Sequence, residues 1–131
     1  MKKFLILLLF FFLNITFLYA NVGKITAIKG DVTIERVSQS IVAKLGSIVN
    51  EKDSIKTGKN ARAQIVFKDN TIISVGKNSS FSVKEYLFES KKPVKASFSF
   101  GTGVFKTITG KIGKINPKKF KLNTKTSSIG I

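Results

Sequence analysis

Between Asn21 and Ile131 the chain holds 24 valines and isoleucines against three leucines (Leu45, Leu87 and Leu122), with no Met or Trp. A side chain branched at Cβ loses rotamers in a helix and fits a pleated surface, so this ratio constrains the segment to β-structure. No apolar stripe at the helical period competes with it. The 111 residues of this segment include 40 apolar ones, enough for one modest core and not for two. The expected fold class is all-β: a single β-sandwich or rolled-barrel-like domain of short antiparallel strands over residues 21–131, after an N-terminal signal peptide over residues 1–20.

Alternation and punctuation place the strands. Val22 to Lys29 and Asp31 to Val37 flank Lys29-Gly30-Asp31, a hairpin-like or bent connection, with Ile25, Ala27, Val32 and Ile34 directed inward. After the polar break Ser38 to Ser40 come Ile41 to Leu45 and Ile48-Val49. Ala61, Ala63, Ile65 and Phe67 then alternate with Arg62, Gln64, Val66 and Lys68, the period-2 pattern of a strand with one buried face. Phe81 to Tyr86, Val94 to Phe100, Val104 to Ile108 and Phe120 to Thr124 complete the set. A loop rich in Gly and Lys around Gly110, Gly113 and Pro117 separates the last two. Spacings of roughly 8 to 12 residues suit a sandwich or barrel.

The stretch from Gly46 to Ser80, GSIVNEKDSIKTGKNARAQIVFKDNTIISVGKNSS, carries the most specific pattern. Asp53 opens a turn expected to close at Thr57-Gly58, and Asp69-Asn70 makes the next turn into Thr71 to Val75. Asp and Asn bond their own backbone and tolerate left-handed conformations, so both suit tight connections. Gly46, Asp53, Thr57, Gly58, Ala61, Ala63, Phe67, Asp69 and Ser80 together resemble the motif of the FecR domain family. Two positions depart from it: Lys52 stands where a Gly commonly precedes the first Asp, and Asn70 where a Gly commonly follows the second. The likeness extends more loosely from about Val22 to the C-terminus. It implies an extracytoplasmic β-domain, which in the family relays the state of an outer-membrane receptor to a cytoplasmic sigma-factor system. Only Met1 to Lys3 precede the apolar run here, so the expectation is the extracytoplasmic domain without direct sigma-factor regulation.

That apolar run fits export. Lys2 and Lys3 lead into Phe4 to Leu13, and Leu18-Tyr19-Ala20 ends on a small residue suited to cleavage. Ten unbroken apolar residues fall short of the roughly 20 needed to span a bilayer, so no transmembrane span is expected after cleavage. With no Cys there is no lipid attachment site, disulfide or thiol chemistry. The expected location is the bacterial periplasm or outside the cell. At the other end, Thr124 to Ile131 stops on apolar residues where the family pattern continues into Arg-Gly-Thr and one more strand. An incomplete C-terminal edge near Ile129, available for strand-mediated pairing with a partner, is the corresponding expectation.

Without His or Cys, the usual zinc sites and the Ser-His-Asp, Cys-His and thiol mechanisms are excluded. Seven acids remain, Asp31, Glu35, Glu51, Asp53, Asp69, Glu85 and Glu89. Asp53 and Asp69 are expected to bond backbone amides in their turns, and Glu85 and Glu89 to sit at a solvated strand end. Gly101-Thr102-Gly103 and Gly110 to Gly113 read as turns with no helix behind them, hence not as phosphate loops. No cluster of spaced acids supplies a calcium site. The expectation is no enzyme, no cofactor and no metal.

Charge is the remaining handle. Beyond Ala20 there are 21 basic and 7 acidic residues, a net charge of +14, and residues 90–131 carry ten lysines and no acid. Lys119, Lys121 and Lys125 share one face of the last candidate strand, opposite Phe120 and Leu122. With Lys114 and Lys118 they form a candidate anion-binding face. Only Arg36 and Arg62 are Arg, which argues against specific nucleic-acid readout. Two functions are consistent with this inventory. One is a non-enzymatic protein-interaction or sensing module of the cell envelope. The other is a structural or adhesin-like envelope protein that holds anionic surface polymers through its Lys-rich C-terminal half.

Overall fold

The structure, a computed structural model, describes residues 21–89, 93–124 and 128–130, so the expected signal peptide and Lys125 lie outside the described residues. Twelve strands are described: β1 (Asn21–Lys29), β2 (Val32–Arg36), β3 (Gln39–Val42), β4 (Ile48–Asn50), β5 (Ser54–Thr57), β6 (Arg62–Phe67), β7 (Ile72–Val75), β8 (Ser80–Leu87), β9 (Lys95–Phe100), β10 (Phe105–Ile108), β11 (Phe120–Asn123) and β12 (Ser128–Gly130). A short helix α1 (Lys111–Ile115) and a 3₁₀ turn (Pro117–Lys119) lie between β10 and β11. The strands form two sheets, of order β10-β7-β6-β1-β4 and β12-β11-β9-β8-β5-β2-β3. The sheets pack face to face as an all-β sandwich.

The chain crosses repeatedly between the sheets. Lys29-Gly30-Asp31 is the first corner: β1 and β2 belong to different sheets, so the connection is bent rather than a hairpin. Gly30 has φ +73°, and a Cβ there would lie 2.8 Å from the Asn60 carbonyl oxygen, so only glycine fits. Beyond it, Val32 and Ile34 point inward as expected. Ala27 does not. A bulge between Ile25 and Ala27 shifts the pairing of β1 with β6, turns Ala27 to solvent and half-buries Ile28.

The inner faces follow the period-2 signal. Ile65, Phe67, Ile73 and Val75 of the first sheet meet Ile34, Ile55, Phe81, Val83 and Phe98 of the second, all of them buried. Phe67 bridges the layers, with its ring centroid 4.9 Å from Phe98, 5.5 Å from Tyr86 and 6.4 Å from Phe81. Such rings contribute large buried areas plus edge-to-face contacts.

Three features differ from expectation. Asp53 closes a tight turn with Asn50 and does not open one: its N–H donates to the Asn50 carbonyl at 3.1 Å. Ser54–Thr57 is then a strand, β5, held between β2 and β8. Four residues with a single large apolar side chain, Ile55, are too few to show a period. The Gly110 to Gly113 region is not a plain loop, since α1 begins at Lys111. And β11 runs parallel to β9, with Phe120 opposite Ala96 and Leu122 opposite Phe98, because the chain crosses to the other sheet as β10 and returns through α1. β12 pairs with β11 and is the terminal strand of its sheet order.

The two-residue connection between β2 and β3 places Val37 at φ +54° with 78% of its surface exposed. A β-branched residue is costly in the left-handed region and here buries little in return. Val37→Gly is therefore expected to stabilise the fold by about 1 kcal/mol. Chemical denaturation measures this, and a lowered midpoint would contradict the strain.

Candidate functional site

The motif residues form two internal clamps. Asp69, fully buried in the turn between β6 and β7, accepts four hydrogen bonds through its carboxylate. They come from the Tyr86 hydroxyl (2.7 Å), the Thr71 hydroxyl (2.7 Å), the Thr71 N–H (3.2 Å) and the Ile112 N–H of α1 (3.0 Å). Its own N–H donates to Tyr86 Oη at 2.9 Å, and its carbonyl accepts from Lys111 N–H at 2.7 Å. The N-terminus of α1 is thus occupied by an internal carboxylate. Gly110 permits the approach, because a Cβ there would lie 2.3 Å from Thr71 N. Asn70 takes the left-handed position beside it at φ +69°.

Asp53, 1% exposed, accepts the Asn50 N–H at 2.8 Å and a forked pair from Arg36, Nε at 3.0 Å and Nη2 at 2.8 Å. The hydrogen bonds that Arg36 donates to Asp53 raise its pKa above the ordinary guanidinium value. Thr57 donates to the Gly76 carbonyl at 2.6 Å and accepts the Ser79 N–H at 2.9 Å, while Gly58 N–H donates to Asp31 O at 2.9 Å. Together Thr57 and Gly58 bind the Gly30 corner to the turn between β7 and β8. Both carboxylates are therefore engaged by internal donors. Arg36, Thr71 and Tyr86 carry no motif in the sequence, although a lone Tyr beyond Ala20 that is buried must find a partner.

The basic residues gather elsewhere, in an open groove of about 570 Å³ on the outer face of β8, β9 and β11. Lys119 and Lys121 line it, with Lys52, Lys84 and Lys95 joining from the N-terminal half and the middle of the chain. Lys114, on α1, and Lys118, in the 3₁₀ turn, are exposed and do not line it.

Two backbone irregularities build the groove. A bulge in β8 between Val83 and Glu85 turns both Lys84 and Glu85 outward, where strict alternation would bury one. Lys52 has φ +72°, and its N–H donates to Val83 O at 2.9 Å while Val83 N–H donates to Asp53 O at 3.0 Å, so the Lys52 turn is locked onto that bulge. Ser97 sits opposite both Glu85 and Lys121 and accepts a 3.1 Å bond from Asn123. Glu85 pairs with Lys95 at 3.6 Å, an exposed contact that offsets only part of the positive charge. Among the described residues no group of three or more His, Cys, Asp or Glu is placed to hold a metal.

Two outcomes follow from the Asp69 clamp. Asp69→Asn preserves shape but turns an amide NH₂ toward donors, so a loss of about 2–4 kcal/mol is expected in denaturant unfolding. A loss below the scatter of ordinary surface substitutions would refute the clamp. Burial, and then the hydrogen bond to Asp69, push the Tyr86 phenol far above its ordinary value of 10.0. The unfolded chain releases that proton near pH 10 while the folded chain keeps it. Its contribution is therefore complete below pH 10 and lost as the pH climbs toward the folded value. In a protein spanning residues 21–131, where Tyr86 is the sole tyrosine, tyrosinate absorbance should rise together with alkaline unfolding; a rise that precedes unfolding would overturn this assignment.

No curated protein matches the chain. A solved structure described as a cell surface anchoring domain is similar at 31% identity, covering 47% of this chain and 82% of its own, with a TM-score of 0.45. The FecR protein family matches residues 53–131, from the buried carboxylate of Asp53 through β12. With more than half of its length matched, and with Asp53, Thr57, Gly58 and Asp69 performing the structural roles described above, the chain belongs to the FecR family.

Proposed function

We propose that this FecR-family domain is an exported, non-enzymatic contact module of the bacterial envelope, whose contact to anionic surface material is made through the lysine groove. The observation that carries the reading is the convergence of five lysines from separate parts of the chain on one face. Scattered solubilising charge needs no bulge and no left-handed Lys52 to assemble it. The export signal over residues 1–20 and the absence of Cys accord with an envelope location, and no described helix is long and apolar enough to cross a membrane. The internal engagement of Asp53 and Asp69 supports a role without catalysis.

A second reading, a protein-interaction or sensing module, is favoured by the end of the larger sheet. There β3 presents an open strand edge, and Val37, Val42 and Leu45 along this region are 78%, 71% and 69% exposed. Open backbone groups beside apolar side chains suit strand addition by a partner.

Salt separates the two. Envelope fractions carrying the protein are washed with a few hundred millimolar salt, roughly the range in which screening shortens to a few ångströms. Release by salt, unaffected by Val42→Lys, is expected. Retention in salt combined with release by Val42→Lys would transfer the function to the β3 edge.

A further inference from the structure

We infer that the groove is a specific site for a compact anion carrying two or more phosphate groups, an inference that rests on the anionic-contact reading above. The first ground is chemical. The groove is lined by lysines and holds no arginine fork, and lysine binds as a compact point charge with three rotatable donors. A planar carboxylate is best met by a fork, whereas clustered phosphates, with more charge and more acceptor oxygens each, are met by several ammonium groups from different directions.

The second ground is the arrangement of charge. Lys119 lies one step ahead of the Phe120–Ala96 pair in the register of β11 on β9, and Lys95 holds the corresponding place on β9, so the groove begins with two cations side by side. Like charges held close together repel. Glu85 answers one of them, and Lys84, Lys121 and Lys52 add three more. Ser97, already accepting from Asn123, has a hydroxyl proton to donate at the floor of the groove. One carboxylate thus stands against five ammonium groups gathered around a space of headgroup size.

The third ground is Lys52. Its left-handed backbone, at φ +72°, favours Gly, and its side chain is exposed, so burial offers little to offset that cost. A residue that weakens the fold at a position where the groove gains a charge separates stability from binding. Lys52→Gly should raise the unfolding midpoint and weaken anion binding at the same time.

The test uses tripolyphosphate titrated by calorimetry at low salt, with butanetetracarboxylate as a carboxylate of similar charge. Tripolyphosphate is expected to bind the more tightly. At about fivefold per lysine, Lys84→Gln with Lys121→Gln should weaken it about 25-fold. Lys114→Gln with Lys118→Gln removes the same charge outside the groove and should stay within about twofold. Equal losses in the two double variants, equal affinity for the tetracarboxylate, or no tripolyphosphate binding would each overturn the inference. Release of the protein from envelopes by salt but not by tripolyphosphate would overturn it while leaving the broader anionic-contact reading in place. Vesicles bearing a diphosphorylated glycolipid identify the source: binding displaced by tripolyphosphate assigns the phosphates to a lipid, and binding of tripolyphosphate alone assigns them to a soluble ligand.

Discussion

A carboxylate cannot be taken out of water cheaply, and Asp69 is fully buried. Four donors meet it, drawn from the start of β7, from β8 and from α1, so one side chain ties a turn of the smaller sheet to the larger sheet and to the crossover. The dependence runs both ways. A helix of five residues has too few internal bonds to repay its own nucleation, and α1 exists because Asp69 receives the N–H groups that its first turn leaves unpaired. The position of α1 in turn sets where the 3₁₀ turn ends and β11 begins, and hence where Lys119 and Lys121 emerge.

The surface carries the consequence. Sandwich cores built from Val, Ile and Phe specify layers, but they leave the outer faces free to carry charge. Here the outer face of β8, β9 and β11 carries cations from four places in the sequence, aligned by register, by a bulge and by a locked turn. Because the scaffold beneath is buried and hydrogen-bonded, the backbone positions from which those lysines extend are held in place, so the scaffold need not reorder when an anion binds. Long-range attraction by the net positive charge would bring an anion to the surface, and local geometry would select among anions.

Period-2 patterning made most strands legible, since Ala61 to Phe67 and Val94 to Phe100 each alternate around one buried face, and Phe120 is buried beside exposed Lys121. The misses share a cause. Ala27 lies beside a bulge, where one inserted residue breaks the alternation on which the reading depends. β5 is too short to display a period, and α1 has no amphipathic stripe because its stability comes from a residue about forty positions away. Arg36 and Tyr86 were silent for a similar reason: a buried ion pair or phenol is defined by its partner, and the partners lie 17 residues off in sequence.

By itself the sequence determined the class of fold, the turn at Asp69, the family to which the motif points and the excess of positive charge, because β-branched content, turn chemistry and net charge are local or additive properties. Only the tertiary structure decided which lysines lie together. It drew Lys119 and Lys121 into the groove, left Lys114 and Lys118 outside it, and brought in Lys52, Lys84 and Lys95, since proximity across strands depends on register, and register follows from the buried contacts rather than from position along the chain.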